Sequence, residues 1–206
     1  MPLQVTDFIG ISILRGSVNI LITMKPPKPD ILILRCKKPL LSRLFSVHFV
    51  PPPGYFLIIA DDLKYMRHSP DGGEVERKES VFLLKINFEI SWAAWNLPCI
   101  RDEDVVPGKL GFNGIACFEV NPHKVNAPEV FFRKIEPGKS RKIFVEQFKR
   151  IWSLHWDGLL KDAFFKEEIN YRQITQVVES LKTVIDKKMQ DIYGVTVTHI
   201  SIKSTT

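Results

Sequence analysis

Met189-Gln-Asp-Ile-Tyr193-Gly194-Val195-Thr-Val-Thr-His-Ile-Ser-Ile202 is the stretch that decides the fold class. It ends an amphipathic helix and starts a β-branched strand, with one glycine between them. Gly194 stands where a residue in the left-handed region ends a helix. Upstream, Ile174, Val178, Leu181, Ile185, Met189 and Ile192 recur at spacings of three and four, and Val177 and Val184 widen the stripe. Glu179, Lys182 and Asp186 lie off it, with Lys182 and Asp186 spaced to pair at i,i+4. Downstream, Val195 and Val197 share one parity and Ile200 and Ile202 the other. A regular half-buried strand cannot do this. Either a bulge sits near Thr198-His199, or both faces of the strand are covered.

The helical region is expected to begin near Ser140, whose hydroxyl suits an N-cap. Phe144, Phe148, Ile151, Trp152, His155 and Leu159 form one helical face. Gly158 lies inside that pattern and weakens the helix by roughly 1 kcal/mol relative to alanine.

Strand signals precede the helices. Phe8–Met24 reads as a hairpin around Arg15-Gly16, with Ile9, Ile11 and Ile13 alternating before it and Val18, Ile20 and Ile22 after it. The prolines between Lys25 and Pro29 make a semi-rigid corner. Ile31–Leu34 and Leu44–Val50 are short strand candidates, and Pro51-Pro52-Pro53-Gly54 forces a turn before a strand over Tyr55–Ala60. Asp71-Gly72-Gly73 is a further turn. Ser80–Trp92 reads as one long strand, apolar at Phe82, Leu84, Ile86, Phe88 and Ile90 and wet along much of its other face. Leu110–Val120 is the next strand, with Gly111 and Gly114 as bulge or close-approach positions. Strands first and helices later predict an α+β fold: a twisted, mostly antiparallel sheet, two C-terminal helices packed on it and a final strand returning to it. Residues 1–43 form an N-terminal hairpin and basic Pro-rich connector, and residues 44–206 form the α+β domain.

A chain of 206 residues with 45% apolar residues builds a packed core rather than a disordered segment. Its net charge of +6 suits a solvated surface and gives only a loose attraction to anionic partners. Cys36, Cys99 and Cys117 form no C-x-x-C pair and read as buried thiols in a reducing compartment. The first residues lack the pattern of a signal peptide, and no stretch is apolar enough to span a bilayer. The expectation is a cytoplasmic protein that touches a membrane, if at all, from one side.

No arrangement of residues carries a recognisable catalytic signature. His155, between Trp152 and Trp156, has no carboxylate or cysteine at ligand spacing and reads as a half-buried histidine on an aromatic face. His48, His68, His123 and His199 are equally isolated. Asp61-Asp62 and Asp102-Glu103-Asp104 lack the glycine and acceptor spacing of a calcium loop and read as solvated turns. No glycine loop cradles a phosphate. Accordingly no catalytic, metal or cofactor residue is assigned.

Three groups of side chains are candidates for contact with partners. Lys25, Lys28, Arg35, Lys37, Lys38 and Arg43 are interleaved with Ile31, Leu32, Ile33, Leu34, Leu40 and Leu41. Such a stretch is either a strand with a solvated face or a contact for an anionic membrane surface, where each cation contributes on the order of 1 kcal/mol. Arg133, Lys134, Lys139, Arg141 and Lys142 abut the expected helix start, where cations are mildly unfavourable. They read as a solvated loop or an anion-contact surface. Trp92 and Trp95 are either sheet-end packing or anchors at a protein interface.

Three segments in order carry a family resemblance. Val50-Pro51-Pro52-Pro53-Gly54-Tyr55 is similar to a V-P-x-G segment leading into an apolar strand. Leu110–Pro122 resembles a central strand ending in a V-x-D-P turn, with Asn121 in place of the acid. Tyr193-Gly194-Val195-x-Val197 and Ile200-x-Ile202 resemble a Y-G-I-x-V junction and a last strand. Together, over roughly Leu44 to Lys203, these resemble the SPFH (stomatin, prohibitin and flotillin) superfamily. Phe88-x-x-x-Trp92 followed by Leu97-Pro98 is similar to its soluble, virion-core-like branch. The resemblance implies a non-enzymatic scaffold without cofactors that self-associates or binds another protein, peripheral to a membrane face. The basic balance keeps a nucleic-acid-binding protein as the alternative, and that reading predicts steeply salt-dependent binding.

Overall fold

A computed structural model of the chain describes residues 8–13, 20–38, 47–100, 108–135, 142–166 and 169–205. The chain divides into two compact units, one of residues 1–86 and 120–144, the other of residues 87–119 and 145–206.

The first unit holds two sheets and a helix. One sheet has the order β1 (Phe8–Ile13), β2 (Ile20–Met24), β4 (Val47–Val50), β7 (Gly73–Val75). The other has the order β11 (Lys142–Phe144), β3 (Ile31–Arg35), β8 (Glu79–Lys85), β5 (Tyr55–Asp61), β6 (Lys64–Ser69). β1 and β2 pair antiparallel as the hairpin reading expects, and the turn at Arg15-Gly16 lies outside the described residues. β2 and β4 pair in parallel, and the other neighbours in the two sheets are antiparallel. Ile22, Met24, Val47 and Phe49 of the first sheet share a core cluster with Leu57, Ile59, Val81 and Leu83 of the second. On the other side of β8, Phe82 meets Phe132 of helix α1 (Ala127–Ile135) edge to face, with centroids 5.0 Å apart. Covering both faces explains why β3, β5 and β8 read as unbroken apolar runs.

The expected strand Ser80–Trp92 is therefore two strands. β8 ends at Lys85, and β9 (Asn87–Cys99) begins the second unit. At the break, the Ile86 N–H donates to Gly54 O at 2.9 Å and the Ile86 carbonyl accepts from Val120 N at 2.8 Å. Only β9 keeps the alternation of buried and exposed residues; β8 is buried on both faces.

The second unit is a sheet of order β12 (Thr196–Thr205), β10 (Gly108–Glu119), β9, with helices α2 (Val145–Lys166) and α3 (Ile174–Tyr193). Both pairings are antiparallel, so the final strand does return to earlier strands. Gly194 ends α3 at φ 67°, and its N–H donates to Gln190 O at 3.0 Å. Of the two alternatives for the last strand, the bulge is present. His199 pairs with Cys117 and Val197 with Phe118, which leaves Thr198 as the extra residue. Its hydroxyl donates to Cys117 O at 3.1 Å. Asp186 accepts the Val197 N–H at 2.7 Å, so this carboxylate holds the strand rather than serving only the helix surface.

The buried stripe of α2 is Phe148, Trp152, Trp156, Leu160 and Phe164. Phe148 and Trp152 meet Phe118 edge to face at 5.3 and 4.9 Å, and Trp156 meets Trp92 at 5.4 Å. Phe164 lies 5.6 Å from Phe112. This corrects the expected face. Ile151, His155 and Leu159 are half-buried, while Trp156 and Leu160 take the interior positions. Phe144 belongs to β11, and Ser140 lies outside the described residues. The indole N–H groups of Trp92, Trp152 and Trp156 have no acceptor among the described residues, so ring packing rather than polar pairing holds this cluster.

Gly158 is exposed within an unbroken α2, and an added Cβ meets nothing within 4 Å. Gly158→Ala is expected to stabilise the protein by about 0.5–1 kcal/mol, through lost freedom of the unfolded backbone. Urea denaturation followed by circular dichroism reads this; an unchanged or lowered midpoint contradicts it.

Candidate interaction site

β9 is an edge strand among the described strands: β10 lies on one side of it, and only its end is paired on the other. There Ile100 exchanges hydrogen bonds of 3.0 Å with Ile169 O and Tyr171 N, ahead of the short 3-10 turn Tyr171–Gln173. Near its middle the ladder is irregular. Leu97 pairs with Leu110 and Ala94 with Phe112, so Trp95 and Asn96 stand opposite Gly111 alone. Asn96 has φ 60°, the left-handed region that asparagine enters more readily than most residues. At this bulge Trp95 is 58% exposed, which is unusual for so large an apolar ring.

Beside it runs a groove of about 190 Å³, walled by Trp95, Ala93 and Leu97 from β9 and by Asp157, Leu160 and Lys161 from α2. The four-residue spacing of Asp157 and Lys161 sets them one turn apart on the same helix face. Burial pushes the Asp157 carboxyl above its usual range, and Lys161 pulls it part of the way back. Among the described residues the Asp157 side chain makes no hydrogen bond and no ion pair.

The two candidate tryptophans thus separate. Trp92 is buried against Trp156 and belongs to the core, so its ring has no surface to offer a partner. Only Trp95 is available. Their odd spacing of three puts them on opposite faces of one strand, Trp92 inward and Trp95 outward, once β9 is seen to run on past Trp92.

The basic stretch also separates. Lys25, Lys28 and Lys37 are exposed. Arg35 lies with its guanidinium 5.7 Å from the Phe82 ring centroid, donates to Ser80 Oγ at 2.9 Å and sits 3.6 Å from Asp62. Lys38 donates to Glu76 O at 2.6 Å and to Arg77 O at 3.2 Å. Burial lowers the Lys38 pKa, against an opposing pull from Glu79. Both side chains are engaged within the first unit. Ile31, Leu32, Ile33 and Leu34 are buried, so the aliphatic half of the expected membrane-facing pattern is interior. Arg43, Leu40 and Leu41 lie outside the described residues.

Arg133 and Lys134 occupy the last turn of α1, where cations favour the helix dipole, and Arg133 pairs with Glu129 at 2.6 Å. This corrects the expectation that they precede a helix. Lys142 is in β11, and Lys139 and Arg141 lie outside the described residues. A signal for α1 was present in Pro128 and Glu129 at its start and Arg133-Lys134 at its end.

His155 is half-buried, with Nε2 3.1 Å from the Tyr193 hydroxyl. Burial and then Lys188 depress its pKa. Asp61 at the end of β5 and Asp62 in the turn after it are exposed, while Asp102, Glu103 and Asp104 lie outside the described residues. Among the described residues no three His, Cys, Asp or Glu side chains gather as a metal site, and no helix is long and apolar enough to cross a membrane. No protein-family model and no curated protein sequence matches the chain.

Proposed function

We propose that the chain is a non-enzymatic scaffold protein that self-associates through its second unit. The carrying observation is on α2. Leu154 and Phe165 are 76% and 67% exposed, and eleven residues at 3.6 per turn return close to the same side of a helix. They stand about 16 Å apart along that side, two large apolar side chains that a second copy of the helix would cover. Val184 of α3, 52% exposed, adds to the apolar surface of the same unit. The SPFH resemblance of Tyr193–Ile202 and Leu110–Pro122 supports the same role.

Sedimentation velocity over a concentration series tests this. The parent is expected to form dimers or larger species, and Leu154→Glu with Phe165→Glu is expected to leave monomer with unchanged circular dichroism. A parent that stays monomeric throughout overturns the reading. Flotation with anionic liposomes tests the peripheral-membrane part separately, with Lys25, Lys28 and Lys37 as the exposed cations to replace. Salt-dependent binding to DNA or RNA in place of self-association favours the nucleic-acid alternative.

A further inference from the structure

The groove beside Trp95 combines three features that single side chains rarely explain. An indole lies open to solvent beside the apolar Ala93, Leu97 and Leu160. A half-buried carboxylate, Asp157, lines the same groove without a hydrogen-bond donor among the described residues. Among the described strands the one forming a wall is a sheet edge, and the backbone groups of such an edge suit pairing with an extended segment.

A neutral apolar occupant satisfies Trp95 and leaves Asp157 without a partner in a partly desolvated place. An anionic occupant meets Asp157 with repulsion. A cation on an aliphatic stem satisfies both: the stem packs on apolar walls and the charge reaches a carboxylate and an aromatic face. Lys161 is the nearest cation of the chain itself, yet it approaches Asp157 as a field and forms no ion pair with it.

We propose that this groove receives a lysine or arginine side chain of a partner protein, carried on an extended segment that pairs with the open part of β9. Trp95 and Ala93 hold the stem, Asp157 takes the charge, and Lys161 is the competitor that tunes affinity. The β9 backbone sets the direction of the segment, and the charge selects its sequence.

The inference does not depend on self-association, so it is tested in the Leu154→Glu, Phe165→Glu background as well as in the parent. The probes are three capped pentapeptides, Val-Lys-Val-Lys-Val and its counterparts with glutamate or norleucine at both lysine positions. The readout is the Trp95 indole N–H resonance, identified by its loss in Trp95→Phe. The lysine peptide is expected to shift it at concentrations about tenfold below either counterpart. Asp157→Asn is expected to weaken that binding about tenfold, and Lys161→Met to strengthen it several-fold. Opposite effects from two conservative changes one helical turn apart do not follow from a folding defect. Equal binding of the three peptides, no shift with any of them, or a Lys161→Met variant that binds more weakly overturns the proposal.

Discussion

Gly114→Ala is expected to destabilise the protein by about 3 kcal/mol and to lower its melting temperature by roughly 10 °C. A Cβ at this position would lie 1.9 Å from the Ser201 carbonyl oxygen and 2.7 Å from Cζ2 of Trp92. The first obstacle is backbone. It belongs to β12, held to β10 by pairings on both sides of Gly114 and shifted in register beside it. The second is a buried ring locked against Trp156. Neither can move alone. If Ser201 retreats, the β10–β12 ladder opens; if Trp92 retreats, the aromatic cluster under α2 loses its packing. Trp92→Phe is therefore not expected to rescue the variant, because the nearer contact remains. Differential scanning calorimetry decides: a melting temperature within 2 °C of the parent sinks this account of β10.

The second large effect concerns Glu79, which is 6% exposed and the one charged residue fully buried among the described residues. Arg67 makes a forked contact with it, Nη1 on Oε1 and Nη2 on Oε2, the latter at 3.0 Å. The Glu76 N–H adds 2.8 Å to Oε2, and Arg67 Nη2 also donates to Glu74 O at 2.9 Å. Burial pushes the Glu79 carboxyl upward. The Arg67 hydrogen bonds, the Glu76 N–H and the charges of Arg67 and Lys38 outweigh that and hold it below the ordinary glutamate range. Glu79→Gln removes the charge and leaves Arg67 without its counter-ion. Because the Arg67 side chain is 45% exposed, water screens part of the loss, and about 2 kcal/mol is expected.

The sign with pH follows from the lowered pKa. The contribution is fully present above the unfolded-state glutamate value and is lost as pH falls through the lower folded-state value. Urea midpoints between neutral pH and pH 3 are expected to fall more steeply for the parent than for Glu79→Gln. Parallel curves would falsify the assignment.

The sequence made some of this legible and hid the rest for physical reasons. The Tyr193-Gly194 junction was readable because a helix stripe, a left-handed residue and a β-branched run are all local signals. The parity change in the last strand left either a bulge near Thr198-His199 or two covered faces, and the pairing with β10 decides for the bulge. By contrast, β6 carries Lys64-Tyr-Met-Arg-His-Ser with no apolar alternation, since it is an edge strand; only pairing with β5 reveals it. β11 was absorbed into the helix because Phe144 matches the spacing of Phe148. The even-numbered run Phe82 to Ile90 looked continuous because period two survives the break at Ile86, although the chain changes units there. The groove was legible only in part. Trp95 stood out by type, whereas nothing in the sequence singles out Asp157 and Lys161, which matter only because α2 lies beside β9.

The passage between units at 86/87, 119/120 and 144/145 has a consequence for biosynthesis. During vectorial translation, neither half can be completed when its first segment leaves the ribosome. The first unit must wait for β11 to emerge, with the β9–β10 insertion hanging from it as an unfinished excursion. The second must wait for β12, so β10 has an unpaired flank until the last ten or so residues of this stretch are released. A nascent chain stalled before Thr196 therefore presents a sticky, incomplete sheet to chaperones, and trimming from that side removes far more structure than its length suggests.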